Sequence, residues 1–181
     1  TDPNNPTTRL IGDTYSGSYK YSTSVLANNG KIYAAPLYAN QVLEIDPITD
    51  PNNPTTRLIG DSYGGDVKYH TSVLANNGKI YAAPHGYSNS ANQVLEIDPV
   101  TDPNNPTTRL IGDSYSSDYK YHTSVLANNG KIYAAPRSGA NQVLEIDPIT
   151  DPNNATTRLI GDSYGGDVKY HTSVLANNGK I

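Results

Sequence analysis

The sequence predicts an all-β fold built from repeats of about 49 residues, and three observations predict it. The string TDPNN begins at Thr1, Thr49, Thr101 and Thr150, so successive units are spaced by 48, 52 and 49 residues. Each unit holds four short segments rich in β-branched and aromatic residues, separated by Gly, Pro, Asn and Asp. No window carries the 3.6-residue apolar period of a helix, and Pro recurs too often to allow a long one.

In the second unit these segments read as strand A over 69–75, strand B over 79–83, strand C over 93–98 and strand D over 107–112. Asn76-Asn77-Gly78 joins A to B as a hairpin turn, because Asn and Gly accept the positive φ angles a tight turn needs. All the variation in spacing arises between the Pro that ends IYAAP and the Asn that begins NQVLEID. Three residues separate Pro36 from Asn40, seven separate Pro84 from Asn92, and four separate Pro136 from Asn141. A connection that takes insertions while its flanks stay fixed is a surface loop on a rigid scaffold.

Four antiparallel strands repeated at this period are the signature of β-propeller blades, with strand A innermost. NNGKIYAAP, then NQVLEIDP, then TTRLIG resembles the blade pattern of pyrroloquinoline-quinone-type and kelch-like propellers, and the highly repetitive propeller-type proteins of unicellular algae and protists. The resemblance covers the whole chain and implies a fold only. The sequence has no Trp, so the tryptophan docking motif of the quinone enzymes is missing. Gly64-Gly65 and Gly165-Gly166 precede strand A, which is not the kelch position. No cofactor and no catalytic residue carry over.

The units count as an opening D strand, three complete blades, and a fourth that stops at Gly179-Lys180-Ile181 as its B strand begins. The opening D strand has no strand C to pair with, so 1–181 is expected to belong to a longer chain or an assembly, with further copies or repeats of itself as partners. The absence of Met agrees with an excised or mature piece.

Composition removes other classes. The net charge is −4, and the 13 Lys and Arg recur at repeat positions without clustering, so neither nucleic acid nor an anionic membrane is an expected partner. No apolar run approaches the roughly 20 residues of a membrane helix. With no Cys, disulfides, thiolate metal sites and cysteine nucleophiles are ruled out, while the redox compartment stays open.

Chemistry-bearing residues mostly have a structural reading. His70, His122 and His171 share one repeat position, held by Ser22 in the first unit. They would ring the top of the channel, where a metal or an anion could sit, and are weak metal candidates against the reading that each bonds its own blade on a wide ring. The run from Asp98 to Asn105 offers oxygen ligands for Ca²⁺, but its Pro and Asx residues already explain it as paired turns. Glu44, Glu96 and Glu145 on strand C are expected to pair with Arg57, Arg109 and Arg158 on strand D. Ser24, Ser72, Ser124 and Ser173 lack a nucleophile elbow and a unique base. Near-identical copies supply no single differentiated site, so the chain is not expected to be an enzyme.

The copies differ in the D-to-A and B-to-C loops, which open on one face of a propeller. The candidate ligand-binding residues there are Tyr15, Tyr19, Tyr38, Tyr63, Asp66, His85, Tyr87, Tyr115, Asp118, Tyr119, Arg137, Tyr164 and Asp167. Tyr supplies area and a hydroxyl at low entropy cost, and small polar side chains hydrogen-bond, a combination that suits glycans or a protein surface. The alternative is that these Tyr pack between blades in a chain without Phe or Trp. Two functions stay open: a repetitive structural or surface-displayed protein, and a multivalent, lectin-like module. Asn154-Ala155-Thr156 is a glycosylation acceptor, whereas Pro blocks the equivalent sites at Asn5, Asn53 and Asn105. The expected location is extracellular or at a cell surface.

Overall fold

The computed structural model describes residues 4–5, 7–88 and 90–181. Among the described residues twelve strands form three antiparallel sheets of four, each in the order of the chain. The first sheet holds β1 (Val25–Leu26), β2 (Ile32–Ala34), β3 (Val42–Asp46) and β4 (Thr55–Ile59). The second holds β5 (Val73–Leu74), β6 (Ile80–Ala82), β7 (Val94–Asp98) and β8 (Thr107–Ile111). The third holds β9 (Val125–Leu126), β10 (Ile132–Ala134), β11 (Val143–Asp147) and β12 (Thr156–Ile160). The described residues contain no helix. β1 packs beside β5 and β5 beside β9, so the A strands are innermost and the sheets are propeller blades.

The core lies between blades because side chains alternate across each strand. On the second blade Tyr81, Ala83 and Val94 face the third, packing with Tyr121, Ile132, Leu144 and Ile146. Its opposite face sends Ile80, Ala82, Leu95 and Ile97 against Tyr33, Ala35 and Val42 of the first. A one-residue slip would turn each set to the wrong blade. Glu44↔Arg57, Glu96↔Arg109 and Glu145↔Arg158 fix the register of C against D. Arg57 grips Glu44 with Nε at 2.7 Å and Nη2 at 3.1 Å, and Lys31 Nζ adds a third contact at 3.2 Å. Charge pairing across the sheet is therefore structural, as the spacing predicts.

Strand A is shorter than predicted, reduced to two residues plus an isolated bridge such as Tyr69↔Pro84. Between those points the chain bonds sideways to its neighbour: Thr23 Oγ1 donates to His70 O and Thr71 Oγ1 to His122 O. The bridging prolines cost nothing, because the bond beside each is made by the next residue. Leu37, His85 and Arg137 N–H groups donate to the carbonyls of Lys20, Lys68 and Lys120. Residues 7–11 and 172–181, read as an opening D strand and a fourth A-B pair, form no strand, although Ala176 N–H still closes the turn onto Lys180 O.

The acidic turns are self-contained. Asp98 Oδ1 accepts from Val100 and Thr101 N–H, and Oδ2 from Thr101 Oγ1 at 2.7 Å. Burial raises the Asp98 carboxyl, but these donors and Lys79 outweigh it and hold it down to about 2. A carboxylate so fully engaged by its own turn acts as a strand cap, which is the turn reading of this run.

Candidate functional site

The D-to-A and B-to-C loops meet on one face, and two kinds of site form there: a pocket repeated on each blade, and a cluster near the axis that occurs once.

The repeated pocket follows from one loop geometry. In the second blade Tyr63, Lys68, Ser90, Asn92, Gln93 and Leu110 line a cavity of ≈ 350 Å³. Tyr115, Lys120, Gly139, Asn141, Gln142 and Leu159 line its counterpart of ≈ 360 Å³ in the third. Tyr15, Lys20, Tyr38, Asn40, Gln41 and Leu58 line that of the first, ≈ 440 Å³. The B-to-C loop forms one wall and two successive D-to-A loops form the rest. Tyr15, Tyr63 and Tyr115 are half-buried and reach the next blade through their hydroxyls, on Thr56, Thr108 and Thr157 Oγ1 at 3.0, 2.7 and 2.8 Å. These tyrosines thus do both things the sequence left open: they join blades and they line pockets.

Lys68 and Lys120 are each 1% exposed. A single backbone carbonyl, of Gly65 or Ser117, accepts from each ammonium, which has three donors. Burial pushes both amines down, Lys120 to about 8, while Asp66 and Asp118 oppose the shift. Asn92 Oδ1 is buried without a hydrogen-bond partner. Each pocket thus combines unused donors with an aromatic and aliphatic wall, and in the second an unused acceptor. Sequence reasoning missed these Lys, Asn and Gln. The signal was the Lys fixed at one repeat position, between two Tyr or between Val and Tyr.

The remaining face residues divide. Tyr19 and Tyr38 pair on the first blade, ring centroids 6.1 Å apart. Tyr164 is exposed and meets Tyr170 edge-on. Asp66 and Asp167 point to solvent, and Asp118 accepts Ser88 N–H at 2.8 Å. Tyr87, Tyr119, His85 and Arg137 come together instead. Tyr119 lies 5.3 Å from both Tyr87 and His85, and the Arg137 guanidinium sits 5.4 Å from its ring centroid.

This second cluster reaches the axis. The rings of His70 and His122 are 3.6 Å apart and those of His122 and His171 are 3.9 Å apart, with His85 edge-on to the first two. The expectation of imidazoles spread on a wide ring and bonded to their own blades is therefore corrected. The A strands converge closely enough for these rings to stack. His70 Nδ1 meets Ser22 Oγ of the preceding blade at 3.3 Å, and His85 Nδ1 meets Tyr121 O of the following one at 2.9 Å. Stacking turns ring faces toward each other instead of lone pairs. Among the described residues no three His, Cys, Asp or Glu side chains are placed to hold a metal ion. Burial lowers all three shifted imidazoles, His85 and His122 to about 4, and Arg137 adds to each shift. The hydroxyls of Ser72, Ser124 and Ser173 are buried without partners, so no nucleophile and base pair forms there.

No family model matches the chain, and no curated protein matches it. Among solved structures it is similar to a catalytically inactive histidine-to-alanine variant of virginiamycin B lyase from Staphylococcus aureus with quinupristin. The TM-score is 0.54 at 13% identity, over 82% of this chain and 44% of that one. A Trichoderma reesei structure from Carbohydrate-Active Enzymes Family AA12 gives 0.46 at 14% identity, over 76% and 37%. A streptogramin B lyase structure gives 0.45 at 15%, over 81% and 43%. The chain spans less than half the length of each of these structures. The likeness carries the β-propeller fold and no residue role.

The comparison also corrects one expectation. The chain was read as not an enzyme because identical repeats supply no differentiated site. A protein of similar fold is a lyase that one substitution inactivates, and the axial cluster here is differentiated. His85 and Arg137 stand where the first unit has Leu37. Neither fold nor repetition excludes catalysis.

Proposed function

We propose that the chain is a multivalent binding module that takes polyhydroxylated ligands, carbohydrates foremost, in one shallow pocket per blade. The narrower likeness to quinone-type, kelch-like or algal propellers adds nothing to this reading. The observation that supports it is the recurrence of one polar cavity, with a Tyr wall, an Asn-Gln pair and a Lys that is partly buried in the first blade, buried in the second and third, and has donors to spare. Sugar hydroxyls both donate and accept, so they can meet the Lys ammonium and Asn92 Oδ1 together, while the sugar's apolar face lies on Tyr63 or Leu110. A glycan array followed by calorimetry tests it. About three equivalent sites per chain are expected, with weak single-site affinity raised by multivalent display. Absence of saturable binding to every glycan would sink the proposal.

A second reading, self-association, rests on matched faces. Leu43 and Ile45 of the first blade and Tyr133 and Val143 of the third are only partly buried, whereas their counterparts Leu95, Ile97, Tyr81 and Val94 are fully buried between blades. Those two faces are the two halves of the interface that already joins neighbouring blades. Further repeats, or a second copy stacked head to tail, would cover them. Light scattering tests this: a mass fixed at 19.4 kDa across concentration would count against it.

A further inference from the structure

We infer that the axial end of the loop face is a site for a small oxyanion, held by the Arg137 guanidinium against the imidazoles of His70, His85 and His122. Arg57, Arg109 and Arg158 bond carboxylates and Arg9 bonds a carbonyl. The Arg137 guanidinium instead lies over Tyr119, and its Nε is buried with no hydrogen-bond partner. His122 Nδ1 is likewise buried and unpartnered. Two orphaned polar atoms in one cluster are what a missing ligand leaves behind, since a buried polar group without a partner is strongly disfavoured.

The charges acting on these groups are all of one sign. Arg137 acts on His70, His85 and His122; His70 and Lys120 act on His85; His171 acts on His70, and His70, His85 and His171 act on His122. Asp118, the carboxylate drawn into this neighbourhood, accepts Ser88 N–H and acts on Lys120. Among the described residues no carboxylate acts on these imidazoles, so the Arg137 charge is open to an anion, and a planar guanidinium favours the paired oxygens of carboxylate or phosphate. The scaffold also holds the position firmly. The carbonyls of His85 and Leu37 each accept from the Lys of the following blade, while the N–H groups of His85 and Arg137 bond within their own blades. The varying side chains are thus mounted on a fixed backbone. The site occurs once, because only the second and third units carry His85 and Arg137.

Bound anion would favour protonated imidazole, so binding takes up protons and tightens as pH falls from about 6.5, the ordinary imidazole value, toward the lowered values near 4. The test is titration of the full chain with inorganic phosphate, and in parallel with acetate, followed by calorimetry and by the histidine ring protons in NMR. One site per chain is expected, with resonances of His70, His85 and His122 moving together. Arg137→Gln should weaken binding about tenfold or more, and Arg137→Lys less. Response to phosphate alone identifies a phosphate-bearing ligand, and response to both a carboxylate-bearing one; either supports the site. Histidine signals unmoved by both anions would overturn it in the unmodified chain, whatever the variants do. Binding unchanged by Arg137→Gln, or close to three sites per chain, would overturn it equally and leave the rim pockets untouched.

Discussion

His70 and His122 come from different blades, yet their rings stack with centroids 3.6 Å apart and planes tilted by 35°. Such contact suits two neutral imidazoles and opposes two cations. Burial first, and then the charges of the neighbouring His and Arg137, lower both groups, His122 to about 4. The unfolded value is about 6.5, so between these limits the folded chain binds fewer protons than the unfolded one. Stability is fully present above pH 6.5 and is lost as pH falls toward 4. Thermal unfolding should therefore occur at lower temperature at pH 5 than at pH 7.5, and His122→Ser, which installs the residue found at Ser22, should flatten that dependence. The Asp98 turn titrates separately, being lost only below its ordinary value as pH nears 2. A stability profile level from pH 7.5 to 5 in the unmodified chain would contradict this.

Glu96 is 1% exposed and accepts from Arg109 Nε at 2.8 Å and Lys79 Nζ at 3.2 Å. Replacing it with Ala takes the carboxylate from Arg109 and leaves the buried Lys79 with Asp98 alone, 3.0 Å away, and should cost about 3 kcal/mol. Removing the half-exposed Arg109 leaves Lys79 to satisfy the carboxylate, so Arg109→Gln should cost about 1 kcal/mol. Urea denaturation of the two variants gives the ordering directly, and equal losses would show that the pair does not act as the geometry requires.

Gly112 and Gly161 occupy the same repeat position with nearly the same φ, +73 and +74, but differ in surroundings. A Cβ on Gly112 would fall 1.9 Å from Thr157 Oγ1, whereas one on Gly161 meets nothing within 4 Å. Gly161→Ala should therefore show only the left-handed backbone penalty, about 1 kcal/mol. Gly112→Ala adds a clash across the blade interface and should lose several kcal/mol. Thr157→Ala should recover part of that loss when combined with it. Additive effects in the double mutant would mean that the two residues do not touch.

Strands C and D were legible because their registers are written in the repeat: alternating apolar residues for two neighbouring blades, and Glu opposite Arg. Strand A was overpredicted because its composition is β-like, while the bonds that interrupt it, from Thr23 and Thr71 to the next His carbonyl, are made about one repeat away. The candidate face was legible as the set of loops where copies differ. Its pockets were not. Lys68 looks like a solvated loop cation, and only the packing of the B-to-C loop buries it. The axial cluster was hidden by the same distance effect, since nothing local brings His85 and Arg137 to the stacked imidazoles.

Asn154 tests the expected location. The side chain is exposed at the turn before β12, and its backbone N–H donates to Asp151 O at 3.0 Å, as Asn53 and Asn105 do to Asp50 and Asp102. What differs is the next residue. Ala155 is 4% exposed and packs into the interblade core, in the place that Pro106 fills in the preceding unit. Proline at that position blocks the acceptor pattern, and alanine permits it. We propose that the protein is secreted or displayed at a cell surface, which in a eukaryotic source puts one glycan on Asn154 and none on Asn5, Asn53 or Asn105. Intact mass measured on natively sourced protein before and after glycosidase treatment should show the loss of a single glycan. The same measurement on Ala155→Pro should show none, with the fold retained because Pro already serves at the equivalent turns. An unchanged mass on native material removes the argument for secretion, while several glycans per chain would mean that the turn proline does not govern acceptance.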